Sequence, residues 1–192
     1  MKTANRAVAL ICWGLGVFAL ISVGLQFAST QARAQTQNLD QLFVELQKAG
    51  PDDWEDVEKA IWTEWSKSGS RSMDFLLERG RAEMKKGNVR DAIGHFSALI
   101  DHAPTFAEGW NARATAFFLA DRYGLSIADI RQTLVLEPRH FGALSGLGMI
   151  YERLDQPNKA LAAFQAALAV HPNRPDALKA VERLKEAFGD LQ

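Results

Sequence analysis

From residue 73 onward, large, small and polar positions return on a fixed beat of 34 residues. Three blocks, 73–106, 107–140 and 141–174, carry it. The fourth place of each holds a large apolar residue (Leu76, Trp110, Leu144), and the eighth a small one (Gly80, Ala114, Gly148). The twentieth is again small (Ala92, Ser126, Ala160), and the twenty-fourth is aromatic or aliphatic (Phe96, Ile130, Phe164). Leu99, Thr133 and Ala167 stand at place 27, and Pro104, Pro138 and Pro172 close the blocks. Places 4 and 8 fall one turn apart on one helix, and places 20, 24 and 27 share a face of a second. The small residues let the two helices approach, and the large ones fill the space left. Proline cannot donate an interior helical hydrogen bond, so it ends the second helix. Gly87, Asn88 and the stretch 121–124 supply the turn chemistry between the helices. The pattern predicts stacked two-helix hairpins, each burying its apolar face on the next.

Both flanks extend the register. Residues 176–188 place Leu178, Val181 and Leu184 on one side, with Lys179, Glu182, Arg183, Lys185 and Glu186 on the other. That reads as a polar-backed capping helix within 175–192. Counting back one period, Leu42, Leu46 and Trp62 fall at places 4, 8 and 24, the alanine is displaced to Ala60, and no proline closes the unit. Residues 35–72 therefore read as a degenerate hairpin, with helices over 39–48 and 53–67, covering the N-terminal end of the array. Asp52 or Asp53, after Pro51, is placed to cap its second helix.

These residues and their spacing resemble the tetratricopeptide repeat (TPR) family. Its consensus has tryptophan or leucine at place 4, a small residue at 8, an aromatic at 11, alanine at 20, an aromatic at 24 and proline at 32. Phe117 and Tyr151 fill place 11, whereas the first block has Glu83 there; the second departs at Ser126 and Ile130. The resemblance covers 73–174. It implies an all-α fold, a right-handed superhelical array of antiparallel helix hairpins, whose first helices line a concave surface. It also implies a protein or peptide partner, bound mainly at places 2, 5, 9 and 12. Carried over, these places are Asp74, Leu77, Arg81 and Met84; Glu108, Asn111, Thr115 and Phe118; Gly142, Ser145, Met149 and Glu152; with Asp176 and Lys179 continuing the wall. Met84, Phe118 and Met149 would form an apolar floor, with Arg81 and Asn111 as polar handles. The family's clamp for a C-terminal carboxylate needs lysine at place 5 and asparagine at place 9, then further basic residues. Leu77, Arg81, Gly142 and Gly146 stand at those places, so no such clamp is expected.

The N-terminus changes the picture of compartment. Lys2 and Arg6 precede an uncharged, mostly apolar run from Ala7 to Ala28, followed by Ala32-Arg33-Ala34. These are the three regions of a secretory signal peptide, with cleavage after Ala34 and export to a bacterial periplasm. The run is also as long as a spanning helix of about 20 residues. The alternative is an uncleaved inner-membrane anchor at 7–28, with the repeats on the periplasmic side. Cys12, the one cysteine, lies inside this run, so the exported part has no disulfide and no thiolate metal site.

Charge and motifs narrow the function. Without residues 1–34, which carry Lys2, Arg6 and Arg33 and no acid, 19 basic residues stand against 23 acidic ones, a net charge of −4. A nucleic-acid partner would call for a basic stripe. No phosphate-binding glycine loop, nucleophile elbow or Cys–His pairing is present, so no enzyme and no cofactor is expected. Asp91 and His95 lie one turn apart, with Asp101 and His102 further on. A closed zinc site wants three or four ligands, and no metal is expected. Trp54, Trp62 and Trp65 share roughly one helix face. They read first as packing against the first block and alternatively as a docking surface. The expectation is a non-catalytic exported adaptor that binds a peptide or helix of another envelope protein. The alternative is a membrane-anchored structural subunit or assembly factor docking through the tryptophan helix.

Overall fold

The computed structural model describes residues 38–189; the signal or anchor segment lies outside them. The chain divides into two units, residues 1–41 and 42–192. Of the first, the described part is helical at 38–41, and this helix, α1, runs through residue 48. Then follow α2 (Trp54–Trp65), α3 (Arg71–Lys85), α4 (Val89–His102), α5 (Ala107–Leu119) and α6 (Tyr123–Leu136). The chain continues with α7 (Phe141–Arg153), α8 (Pro157–Val170) and α9 (Pro175–Gly189). Among the described residues there is no strand, and no helix is long and apolar enough to cross a membrane.

The three blocks fold as the hairpins α3–α4, α5–α6 and α7–α8, each packed on the next, and α9 closes against α8. The small residues at place 8 explain how the helices of a hairpin meet. A Cβ on Gly80 would stand 2.2 Å from the Phe96 ring, and one on Gly148 would stand 2.7 Å from Phe164. In the second hairpin, where place 24 is Ile130, place 8 is Ala114, and both are buried. Ser126, at place 20, donates its hydroxyl to the Ala114 carbonyl at 2.7 Å, satisfying a buried polar group that alanine would not carry. The turn inside each hairpin needs one residue with positive φ at place 15: Gly87 (φ 80°), Asp121 (φ 56°) and Asp155 (φ 53°). Aspartate tolerates that region better than most residues.

The end cap forms from the expected residues with one difference. Ala177, Ala180, Val181 and Leu184 of α9 are buried against Ala160, Phe164 and Ala167 of α8. Leu178 is 46% exposed, whereas its counterparts Leu76 and Leu144 pack against the clusters that hold Phe96 and Phe164.

The N-terminal hairpin departs from the expectation that its tryptophans pack on the first block. Trp62 and Trp65 meet His140 and Phe141, and Trp54 meets His171. The far end of the hairpin is tied to the end of α8. Gln47 Nε2 donates to the carbonyls of Ala169 and Val170 at 2.9 and 2.7 Å, and Asn173 Nδ2 donates to Ala49 at 2.8 Å. The physical reason is a match of polar groups and rings between segments more than 70 residues apart, to which a 34-residue period is blind.

Candidate partner-binding groove

Place 5 belongs to the core. Leu77 is fully buried with Phe96 and Leu99, Asn111 is 9% exposed, and Ser145 is 1% exposed. Places 5 and 8 lie three apart on a helix and share a face, so the residue beside the small contact position turns inward. Leu77 is therefore a core residue and offers nothing to a partner, a correction to its expected place on the groove wall. Met84 likewise packs against the core of the first hairpin.

The polar handles are engaged within the chain. Arg81 Nη2 pairs with Glu108 Oε1 at 2.7 Å, and its Nη1 donates to Ser66 Oγ and Glu78 Oε1, each at 3.0 Å. Asn111 Nδ2 donates to Glu108 Oε2 at 3.0 Å. His140 completes the cluster. Its Nδ1 accepts the backbone N–H of Ala143 at 3.1 Å, capping α7, which leaves Nε2–H to donate to Glu108 Oε2 at 3.1 Å. Burial pushes the Glu108 carboxyl up, but His140 and then Arg81 outweigh it and hold it below the usual carboxylate value. Ser145 Oγ accepts from Arg174 Nε at 3.0 Å, and Glu152 pairs with Arg183.

The tryptophan helix sits over this face. Trp65 stacks on His140 with ring centres 4.0 Å apart and planes 7° from parallel. Trp62 lies so close to Gly142 that a Cβ there would be 2.6 Å from its ring. Glu58, one turn before Trp62, accepts from Trp62 Nε1 and pairs with Arg174 Nη1, both at 3.0 Å, with His171 Nε2 at 3.4 Å. Burial raises the Glu58 carboxyl, while the bonds from His171 and Trp62 and the charge of Arg174 bring it below its usual value.

One stretch of the first-helix face stays open. A cleft of about 70 Å³ lies between α5 and α7, lined by Asn111, Thr115, Phe118, Gly142, Gly146 and Met149. Thr115 Oγ1 donates to the Asn111 carbonyl at 3.0 Å, Phe118 leans on Tyr123, and Met149 is 41% exposed. A Cβ on Gly146 would meet nothing nearer than Ile130, at 3.8 Å, so the missing side chain leaves real space. The cleft thus gathers Asn111, Thr115, Phe118 and Met149 from the expected groove, and leaves Leu77, Arg81, Met84, Ser145 and Glu152 outside it. Among the described residues no group of three or more His, Cys, Asp or Glu is placed to hold a metal ion.

Sequence reasoning missed Glu58, His140, His171 and Arg174. The two histidines flank the block-closing prolines, and that proximity to the first-helix face was the available signal.

Comparisons with known proteins agree with this architecture. The tetratricopeptide repeat pattern matches residues 77–138 and again 141–174. A TPR repeat-containing protein of Rhizobium etli is 34% identical over 151 residues, 78% of this chain and 74% of that protein. The chain belongs to the tetratricopeptide repeat family. The Hsp70-Hsp90 organizing protein of Triticum aestivum is 32% identical over 107 residues, which are 56% of this TPR chain but 18% of that protein. Among solved structures, the first TPR of Spaghetti (RPAP3) bound to the HSP90 peptide SRMEEVD has the same fold. Its TM-score is 0.60 at 22% identity, over 62% of this chain and 95% of that one.

Proposed function

We propose that this TPR protein is an exported, non-catalytic adaptor that binds a peptide or helix of another envelope protein on the face lined by its first helices. The observation that carries the reading is the open cleft between α5 and α7, where Gly146 leaves room and Phe118 and Met149 offer apolar contact. A rigid helical wall loses little freedom when a ligand docks, which favours affinity. The likeness to a TPR domain solved with a bound peptide supports the mode, and the apolar run 7–28 with Ala32-Arg33-Ala34 supports export to the periplasm. Docking through Trp54, Trp62 and Trp65 is the weaker alternative, since those rings are turned onto the chain's own histidines.

A photo-crosslinking residue at position 115 of the full chain, used in cells, tests the cleft. The expected result is capture of a defined protein, lost when Gly146→Leu fills the space. Leucine favours a helix over glycine by about 1 kcal/mol, so the repeat stays folded. Capture that persists in Gly146→Leu, or that recurs with the probe at Glu182 on the outer side of α9, removes the cleft from the model. Intact mass of the exported protein tests its fate. A chain starting at Gln35 is expected, and a mass that includes residues 1–34 transfers the protein to an uncleaved inner-membrane anchor.

A further inference from the structure

The seat beneath α2 is polar and incompletely satisfied. His140 and His171 are fully buried, yet among the described residues Trp65 Nε1 and His171 Nδ1 have no hydrogen-bond partner. Orphaned polar atoms weaken the contact that buries them. Against this, the complementarity is specific. Glu58, Trp62 and Trp65, at i, i+4 and i+7, share one helix face. They meet, in order, the cation of Arg174, the notch at Gly142 and the flat ring of His140. The hairpin is joined to α3 only by residues 66–70, which include Gly69 at φ 82°.

We infer that the seat formed by His140, Gly142, His171 and Arg174 is a receptor for an amphipathic helix bearing one carboxylate and two indoles at this spacing. α2 fills it in cis until a partner's helix of the same chemistry displaces it. This rests on the reading above, that the first-helix face binds a protein segment, but names a neighbouring site and its ligand. The tether gives α2 a high effective concentration, so only a ligand that matches the seat competes.

The test uses the full chain and a fluorescent peptide of residues 53–67, with binding read by anisotropy. Trp62→Ala weakens the cis occupant and leaves the seat intact, so this chain is expected to bind the peptide about 100-fold or more tighter than wild type does. Adding Gly142→Ala, which closes the notch but suits a helix, is expected to abolish binding. A peptide carrying Trp65→Ala is expected to bind neither chain. Glu58→Ala is the second cis-weakened chain should Trp62→Ala lose its helicity by circular dichroism. Absence of peptide binding to both folded variants overturns the inference, as does equal binding by wild type and variant. A wild-type chain that runs as a dimer dissolved by the peptide assigns the seat to a second copy of the chain and overturns the partner-helix reading. Gly146→Leu in the Trp62→Ala chain is expected to leave peptide binding unchanged, so failure of the cleft and failure of the seat are read separately.

Discussion

Phenylalanine at place 24 is accommodated only where place 8 has no Cβ. Gly80 faces Phe96 and Gly148 faces Phe164, whereas Ala114 faces Ile130. Phe164 is 2% exposed and has nowhere to retreat, so Gly148→Ala is expected to cost about 1–3 kcal/mol by overpacking. Phe164→Ile placed on top of it recreates the pair used by the second hairpin, and thermal melts are expected to recover part of the loss. A double-mutant cycle reads this as a favourable coupling; strictly additive effects would show that these residues do not set the helix approach. The glycine contacts were legible because the residue types recur at matched places. Leu77 was misplaced because a list of family surface positions ignores which face place 5 shares with place 8.

At the scale of elements, the period found the three hairpins and the closing helix, since each follows from local spacing of apolar residues. The destination of α2 was not legible. It depends on His140, His171 and Arg174, residue types that do not recur at their places in the other blocks. Reasoning from spacing weighs His95 and His102 instead, because each has an aspartate on its own helix one turn or less away. The closing helix allows a direct check. Burial of Val181 and Leu184 is worth about 1.5–3 kcal/mol each, and their partners Ala160, Phe164 and Ala167 line the surface they cover. Deleting residues 176–192 is expected to lower the melting temperature and cause self-association, seen by light scattering. A truncated chain that stays monomeric with unchanged helicity per residue would show that α9 covers nothing the array needs.

Across the unit of residues 42–192, two carboxylates link elements that the repeat pattern leaves independent. Glu108 joins Arg81 of α3, Asn111 of its own helix and His140 at the start of α7. Glu58 joins α2 to His171 and Arg174 ahead of α9. Both are held below the usual value of 4.5 despite their burial. A carboxylate with a depressed folded-state value contributes stability that is present above its unfolded value. That stability is lost as pH falls through the folded one. The melting temperature is therefore expected to lose these two contributions only below about pH 4.5, with the fluorescence of Trp54, Trp62 and Trp65 reporting release of α2. Glu108→Gln isolates one link. At pH 7 it leaves Arg81 facing a neutral partner, and because Arg81 is part-exposed and keeps Glu78, the expected cost is about 1–3 kcal/mol. As pH drops the wild-type carboxylate is protonated too, so the two proteins should converge. A gap between their melting temperatures that stays constant from pH 7 to pH 3 would show that the charge on Glu108 carries none of the coupling between α3 and α7.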